Sequence, residues 1–294
     1  MTDQNTAATL QNAPSRKGFW IGVWLNYKRN RAAMVGGIGF LIIAVVSILG
    51  ITPYDPEYGD FDNLMSKPTF KHIMGTDNIG RDIFSRIIVG GRVSLRVGVM
   101  AIAISATAGV IAGLVAGYYG GWIDSIIMRV LEVVLALPGL LLALLLVAYL
   151  GPSLTNAMLA ISITLIPPYA RVVRANTLSL REMEYVTAAK AIGARDRRIM
   201  FRAILPNTLS PIIVQVSLLL SVAILVEAAL SFLGLGVQPP TPAWGSMMAE
   251  SQQFIDLAWW MSTFPGMTIF VTVIALNFIG DGLREAFDPR QRRR

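Results

Sequence analysis

Residues 97–123 read VGVMAIAISATAGVIAGLVAGYYGGWI, a run without a charged side chain. A helix needs about 20 mostly apolar residues to cross the hydrocarbon core of a bilayer, so this run can cross once. Residues 133–170 form a longer uncharged run with Gly151-Pro152-Ser153 near its middle, which favours two crossings joined by a tight turn. Three further uncharged runs bring the predicted number of transmembrane helices to six: residues 32–54, 203–226 and 257–280.

The composition is typical of a membrane protein. Of the 294 residues, 54% are hydrophobic and 15% are charged, whereas soluble domains average roughly 25% charged residues. The chain has no cysteine, which excludes disulfides and thiolate metal sites, and its single histidine is His72 in a polar segment. The first uncharged run lacks a small-residue cleavage site, so we expect it to remain as a membrane anchor.

Lysine and arginine predict the orientation of the six helices, because positive residues are enriched in cytoplasmic loops. Most of the 25 lie in the N-terminal tail, in the loop after the fourth helix and at the C-terminal end, and residues 237–265 contain none. We therefore expect both termini in the cytoplasm and the chain in a bacterial inner membrane. Arg86, Arg92 and Arg96 run against this pattern, since they crowd the outer start of the second helix.

The uncharged runs divide the chain into segments. Aromatic residues from Phe19 to Tyr27 precede Lys28 and Arg29, which predicts an interfacial helix before the first crossing. Gly90-Gly91 is expected to end a short helix over residues 80–89. The predicted segments are a cytoplasmic tail with the interfacial helix, 1–31, disordered over 1–18; the first transmembrane helix, 32–54; a periplasmic segment, 55–92; a five-helix core, 93–285, with a cytoplasmic loop, 173–207, and a periplasmic loop, 237–265; and a basic cytoplasmic tail, 286–294.

Small residues recur at every fourth position of the second helix, at Gly109, Gly113 and Gly117. This spacing allows close approach of two helix backbones in a membrane. The partner helix can belong to a second subunit or to the same chain, and the sequence leaves both interpretations open.

Prolines and carboxylates inside the predicted helices are the candidates for a transport pathway. Pro138 and the pair Pro167-Pro168 are expected to bend the third and fourth helices, as occurs beside water-filled cavities but also in membrane helices generally. Glu132 and Glu227 lie near the ends of crossings. We expect Glu132 to be solvated, and the sequence does not decide for Glu227.

Motifs for catalysis are absent from the sequence. No lysine follows a glycine-rich phosphate loop, and neither His-Glu-x-x-His nor Gly-x-Ser-x-Gly occurs. We therefore expect no enzyme activity, no metal site and no cofactor in this chain. A secondary transporter is the competing interpretation, but ion-coupled carriers normally place ionisable groups near mid-membrane, and the near absence of such groups from these helices disfavours it. The basic tail is a topology signal beside anionic lipid, and no nucleic-acid partner is expected.

The loop after the fourth helix contains the most informative segment. Residues 184–207 read EYVTAAKAIGARDRRIMFRAILPN. A helix over about residues 181–192 is predicted to stop at Gly193, which tolerates a left-handed conformation, and a second helix is predicted from Asp196 to just before Pro206. Ala188 and Ala189 leave the first helix nearly flat on one side, which favours insertion into a groove of a soluble partner.

This segment resembles the EAA loop of ABC importer permeases, whose consensus is Glu-Ala-Ala, three residues, Gly, nine residues and Ile-x-Leu-Pro. Thr187 replaces the consensus Glu and Ala203 replaces the Ile. Tyr185-Val186 resembles the variant found in peptide permeases. Five residues match the consensus: Ala188, Ala189, Gly193, Leu205 and Pro206. The resemblance implies that these five, together with Tyr185 and Val186, dock the ATPase.

Three further segments resemble the dipeptide/oligopeptide/nickel permease family, in particular its C-type subunit. They are residues 74–86 (MGTDNIGRDIFSR), 230–245 (LSFLGLGVQPPTPAWG) and 280–290 (GDGLREAFDPR). The resemblance covers roughly residues 20–290. It implies an all-α integral membrane protein with six transmembrane helices, the type I ABC importer permease fold and a cytoplasmic coupling loop.

The resemblance also implies a function and a set of partners. The chain is expected to form half of the translocation pore with a homologous second permease, to bind two cytoplasmic ATPases that hold ATP and Mg²⁺, and to receive cargo from an external binding protein. Dipeptides or short peptides are the expected cargo, with nickel, glutathione or an opine-like solute as alternatives. The residues expected to contact the binding protein are Pro239, Pro240, Pro242, Trp244 and Gly245. The apolar and aromatic content of this loop is equally consistent with packing onto the bilayer.

Overall fold

The computed structural model describes residues 16–288, and within this range all regular structure is helical. Five helices are long and apolar enough to cross a membrane, and a bent pair of shorter helices provides a sixth crossing. The helices are α1 Arg16–Arg29, α2 Arg31–Leu49, α3 Ile83–Tyr119, α4 Gly121–Leu135, α5 Gly139–Leu150, α6 Leu154–Arg181, α7 Glu184–Ala191, α8 Asp196–Phe232, α9 Trp244–Ser251 and α10 Trp260–Phe287.

The first two helices fit the predicted interfacial helix and first crossing. The side chain of Asn30 accepts a hydrogen bond from the backbone N–H of Ala33 at 3.0 Å, which caps the start of α2. The helix ends at Gly50, whose φ of 61° is left-handed. Residues 16–18, expected to be disordered, begin α1, whereas residues 1–15 and the end of the basic tail, 289–294, lie outside the described residues.

The prediction that Gly90-Gly91 ends a short outer helix is wrong. Helix α3 runs without a break from Ile83 to Tyr119, so the predicted boundary between the outer segment and the core at residue 93 falls inside it. A side chain at Gly90 would contact the backbone of Ala243, and one at Gly91 would clash with Ser47 and Trp244. These glycines allow close packing inside a helix and do not stop it.

The third crossing is broken as the prolines predicted. Helices α4 and α5 are bent by 83° relative to each other across residues 136–138, where Pro138 stands before the first residue of α5. Gly151-Pro152-Ser153 forms the predicted turn, and the side chain of Ser153 caps α6. Pro167 and Pro168 lie inside α6, which continues past them to Arg181.

Helices α3 and α6 pack along the glycine series of α3. Positions for a Cβ on Gly109, Gly113 and Gly117 are within 3 Å of atoms of α6, among them backbone oxygens of Ile166, Ala170 and Arg174 at 2.7, 2.5 and 2.9 Å. Only glycine permits this approach. The structure therefore uses the series for packing inside one subunit, which decides between the two interpretations of the sequence.

Candidate coupling and outer surfaces

The predicted coupling helix is α7, which begins at Glu184 and not near Arg181. Helix α6 occupies the chain up to Arg181, where the Arg181 side chain donates a hydrogen bond to the carbonyl oxygen of Gly117 at 3.0 Å. Met183 has extended backbone angles and separates the two helices. Helix α7 is thus a separate short element that follows the end of α6.

One side of α7 anchors it to the ends of the membrane helices. Val186 has no exposed surface and packs in an apolar cluster with Leu114 and Tyr118 of α3 and with Ile199 and Ile204 of α8. Ala189 is half-buried against the same cluster. Val186 therefore faces the interior and cannot contact an ATPase directly, which corrects its predicted role as a docking residue.

The opposite side of α7 is exposed and mostly small or apolar. Ala188 and Ala191 are exposed, and the side chain of Ile192, just after the helix, is 86% exposed. Residues three and four apart share a helix face, so Ala188 lies at the centre of this surface, between Glu184 and Ile192. Tyr185 is 43% exposed beside it. Ile192 was not among the predicted docking residues, although an apolar residue before Gly193 in a polar loop was a usable signal.

The turn after α7 is held in a fixed conformation. Gly193 has a φ of 77°, and its N–H donates to the carbonyl oxygen of Lys190 at 2.9 Å, as predicted for a glycine that ends a helix. Asp196 at the start of α8 accepts a hydrogen bond from the Tyr118 hydroxyl at 2.7 Å. Helix α7 and the start of α8 are therefore both fixed to the C-terminal end of α3.

The second helix of the loop does not end before Pro206, contrary to the prediction. Helix α8 continues from Asp196 into the membrane, and its residues Ile199–Ile204 form a π-helical segment. Pro206 has no N–H to donate, and it stands in the first turn after this wide segment, where it interrupts nothing. Leu205 and Pro206 are half-buried, so their side chains present little surface to a docking partner.

The outer loop presents fewer residues to a partner than predicted. Pro239 and Pro240 are exposed, but Pro242, Trp244 and Gly245 are buried. The Trp244 indole N–H donates to the carbonyl oxygen of Ile87 at 2.9 Å, and a side chain at Gly245 would clash with the backbone of Ala228. The last three residues pack α9 onto the membrane helices and are not contact residues, which corrects the prediction.

A buried ionic cluster lies beneath this outer loop. Arg86 is 1% exposed and donates to Glu250 at 3.0 Å, and Arg81 donates to Asp77 and to Glu250, each at 2.6 Å. Buried charges need such partners. Arg81 and Arg86 are therefore both paired with acidic side chains, and neither buried charge is left without a partner.

The two carboxylates singled out in the sequence lie in different environments. Glu132 is exposed on α4. Glu227 is 1% exposed inside α8, and its Oε1 accepts a hydrogen bond from the Ser231 hydroxyl at 2.7 Å. Among residues 16–288, no group of His, Asp or Glu is arranged to hold a metal ion.

Long apolar helices, a bent crossing and a short helix with a small exposed face fixed to their ends are typical of the class of membrane-spanning transport subunits. The chain belongs to the family described as binding-protein-dependent transport system inner membrane component, whose model matches residues 109–293. The model for the N-terminal transmembrane domain of oligopeptide transport permease C matches residues 18–68. The chain is accordingly a permease subunit of an ABC importer and a multi-pass membrane protein.

Characterised relatives cover most of the chain. It is 44% identical over 276 residues to the di/tripeptide transport system permease protein DppC of Pseudomonas aeruginosa, covering 91% of each chain. It is 45% identical over 274 residues to the glutathione transport system permease protein GsiD of Escherichia coli O157:H7, covering 92% of this chain and 90% of that protein.

The fold also matches a solved structure. An inward-facing structure of the MetNI methionine ABC transporter superimposes with a TM-score of 0.56 at 16% identity. The match covers 69% of this chain and 97% of the other chain. This agreement confirms the predicted type I importer permease fold.

Proposed function

We propose that this chain is one of two different permease subunits that together form the pore of an importer of dipeptides or other short peptides. The relatives that carry di/tripeptides and glutathione, itself a tripeptide, support a peptide cargo. Nickel and opine-like solutes remain alternatives within the same class of importer. The pore half supplied by this chain binds no ATP, Mg²⁺ or other cofactor and catalyses no reaction.

The observation that carries the coupling function is the exposed face of α7. Ala188 and Ala191 provide a surface without long side chains, and Ile192 projects beside it. Since Val186 fixes the other side of the helix, the exposed face is free to enter a groove on a cytoplasmic ATPase. Burial of Ile192 in such a groove would contribute about 1.5–3 kcal/mol to the association.

The orientation follows from the coupling function, because ATPases are cytoplasmic. Helix α7 and both ends of the described chain then lie on the cytoplasmic side, and α9 lies outside. Pro239 and Pro240 remain exposed there and are the proposed contacts of the external binding protein.

Uptake measurements test the cargo. Cells that express the chain with its partner subunits should accumulate a labelled dipeptide, and vanadate should abolish the accumulation because the ATPases supply the energy. Labelled glutathione and nickel ions, supplied separately, decide among the alternatives. Uptake that resists vanadate but collapses with the proton gradient would overturn the importer assignment in favour of a secondary transporter.

Cysteine labelling tests the orientation, since the natural chain contains no cysteine. Asp62→Cys and Gln252→Cys are exposed positions on the outer side and should react with an impermeant maleimide in intact cells. Ser179→Cys, exposed at the end of α6, should react only after the membrane is opened. Labelling of Ser179→Cys in intact cells would reverse the orientation.

A further inference from the structure

A tight turn over residues 69–74, here called the outer turn, lies between α2 and α3. The backbone N–H of Thr69 donates to the carbonyl oxygen of His72 at 2.8 Å, and the N–H of Gly75 donates to the same oxygen at 2.9 Å. The buried His72 ring lies 2.9 Å from the carboxylate of Asp82, which caps α3. The outer turn is therefore rigid and attached to the start of a membrane helix.

The tip of the outer turn is apolar and fully exposed. The side chain of Phe70 has no contact that reduces its exposure, and Ile73 is 64% exposed. Isolated exposed apolar residues are common on protein surfaces. Here, however, a fixed turn presents two of them together, with exposed Lys67 and Lys71 on the flanks. A rigid apolar tip with basic flanks is a pattern of membrane-interface segments.

The contacts of the outer turn place it near the ends of the crossings. The Tyr54 hydroxyl donates to the carbonyl oxygen of Lys71 at 2.8 Å, and Tyr54 follows the end of α2 by a few residues. Met74 lines an apolar crevice together with Val46 of α2 and Met267 of α10. Because Val46 and Met267 belong to helices that are long and apolar enough to cross a membrane, the outer turn lies against the crossings and does not stand far above them.

We propose that the outer turn binds the lipid surface of the leaflet next to it. Phe70 and Ile73 enter the boundary between headgroups and acyl chains, and Lys67 and Lys71 lie among the phosphates. Aromatic residues and lysines are enriched at this depth in membrane proteins. This contact fixes the height of the outer segment, 55–82, on the bilayer, and it is independent of the cargo.

A fluorescent probe on a single cysteine tests the proposal. Phe70→Cys carries an environment-sensitive nitrobenzoxadiazole label, and Asp62→Cys, an exposed charged position of the same segment, is the matched control. The full-length protein, produced with its partner subunits, is reconstituted into vesicles of phosphatidylethanolamine and phosphatidylglycerol. Quenching is measured with lipids that carry a nitroxide near the headgroup and with iodide present on both sides of the membrane.

The expected result is opposite quenching at the two positions. The probe at residue 70 should emit at shorter wavelength, be quenched by the nitroxide lipid and be protected from iodide, whereas the probe at residue 62 should be quenched by iodide. Quenching of both probes by iodide would overturn the proposal. Protection of residue 70 from both quenchers would also overturn it, because a protein partner would then cover the turn. Iodide on both sides makes the result independent of the proposed orientation.

Discussion

The substitution Ala188→Asp separates docking of α7 from its folding. Ala188 is exposed and points away from the apolar cluster around Val186, so an aspartate there faces water in the free subunit. Surface substitutions of this kind change the free energy of unfolding by about 0.5 kcal/mol or less. The variant should therefore insert, accumulate and resist heat like the natural chain.

In a groove of the ATPase, the same carboxylate would be buried without a partner. Leaving a buried charge unpaired costs about 3–5 kcal/mol. A loss of about 4 kcal/mol weakens association nearly a thousandfold, which abolishes co-purification with the ATPases and vanadate-sensitive uptake. Ser179→Asp introduces the same charge at an exposed position of α6 and should leave both unchanged. Normal ATPase affinity of Ala188→Asp would refute the assignment of α7 as the coupling helix.

Three further predictions, two of them with a comparison variant, concern the turn, the helix packing and the ion pairs that support the two surfaces. Gly193→Ala should lower the stability of the loop by about 1–2 kcal/mol and reduce uptake, because a Cβ there meets no atom and only the left-handed backbone is penalised; Gly193→Asn should be milder in the same uptake assay. Gly113→Val should prevent accumulation of the protein, since its Cβ would overlap α6, whereas Gly39→Ala, with open space around it, should accumulate normally in immunoblots of membranes. Arg86→Met should destabilise the outer end by on the order of 3 kcal/mol, measured as a lower melting temperature in detergent, because it leaves buried acidic groups with one cation fewer; an unchanged melting temperature would contradict the role of the ionic cluster.

The sequence predicted the crossings and the short helix that ends at Gly193 because both depend on local patterns. A charge-free run of about 20 residues predicts a membrane crossing by itself. A glycine before a polar stretch predicts the end of a short helix, as at Gly193. The bend at Pro138 is equally local, since the proline lacks the N–H that would continue the helix.

The parts that the sequence could not predict depend on contacts between distant residues. A Gly-Gly pair such as Gly90-Gly91 is typical of a helix end, but here Trp244 and Ser47 pack against Gly91. The glycines therefore allow close packing, and α3 continues through them. Trp244 lies in a proline-rich loop and was predicted to contact a partner, yet its indole N–H donates a hydrogen bond to the carbonyl oxygen of Ile87. The same limit applies to Glu250, whose role depends on two arginines more than 150 residues earlier in the chain.

Helix α3 joins the two surfaces on which the proposed function depends. At 1.5 Å per residue its 37 residues span about 55 Å, which exceeds the roughly 30 Å hydrocarbon core and carries the helix into both aqueous sides. Its C-terminal end contacts Val186 and Asp196 of the loop after the fourth crossing, and its N-terminal end holds Arg86 in the ionic cluster with Glu250. Close-packed interiors transmit displacement because they deform little. The glycine series packs α3 closely against α6 between these two ends, so both surfaces rest on one helix pair, and a side chain at Gly113 should prevent the pair from packing and the protein from accumulating.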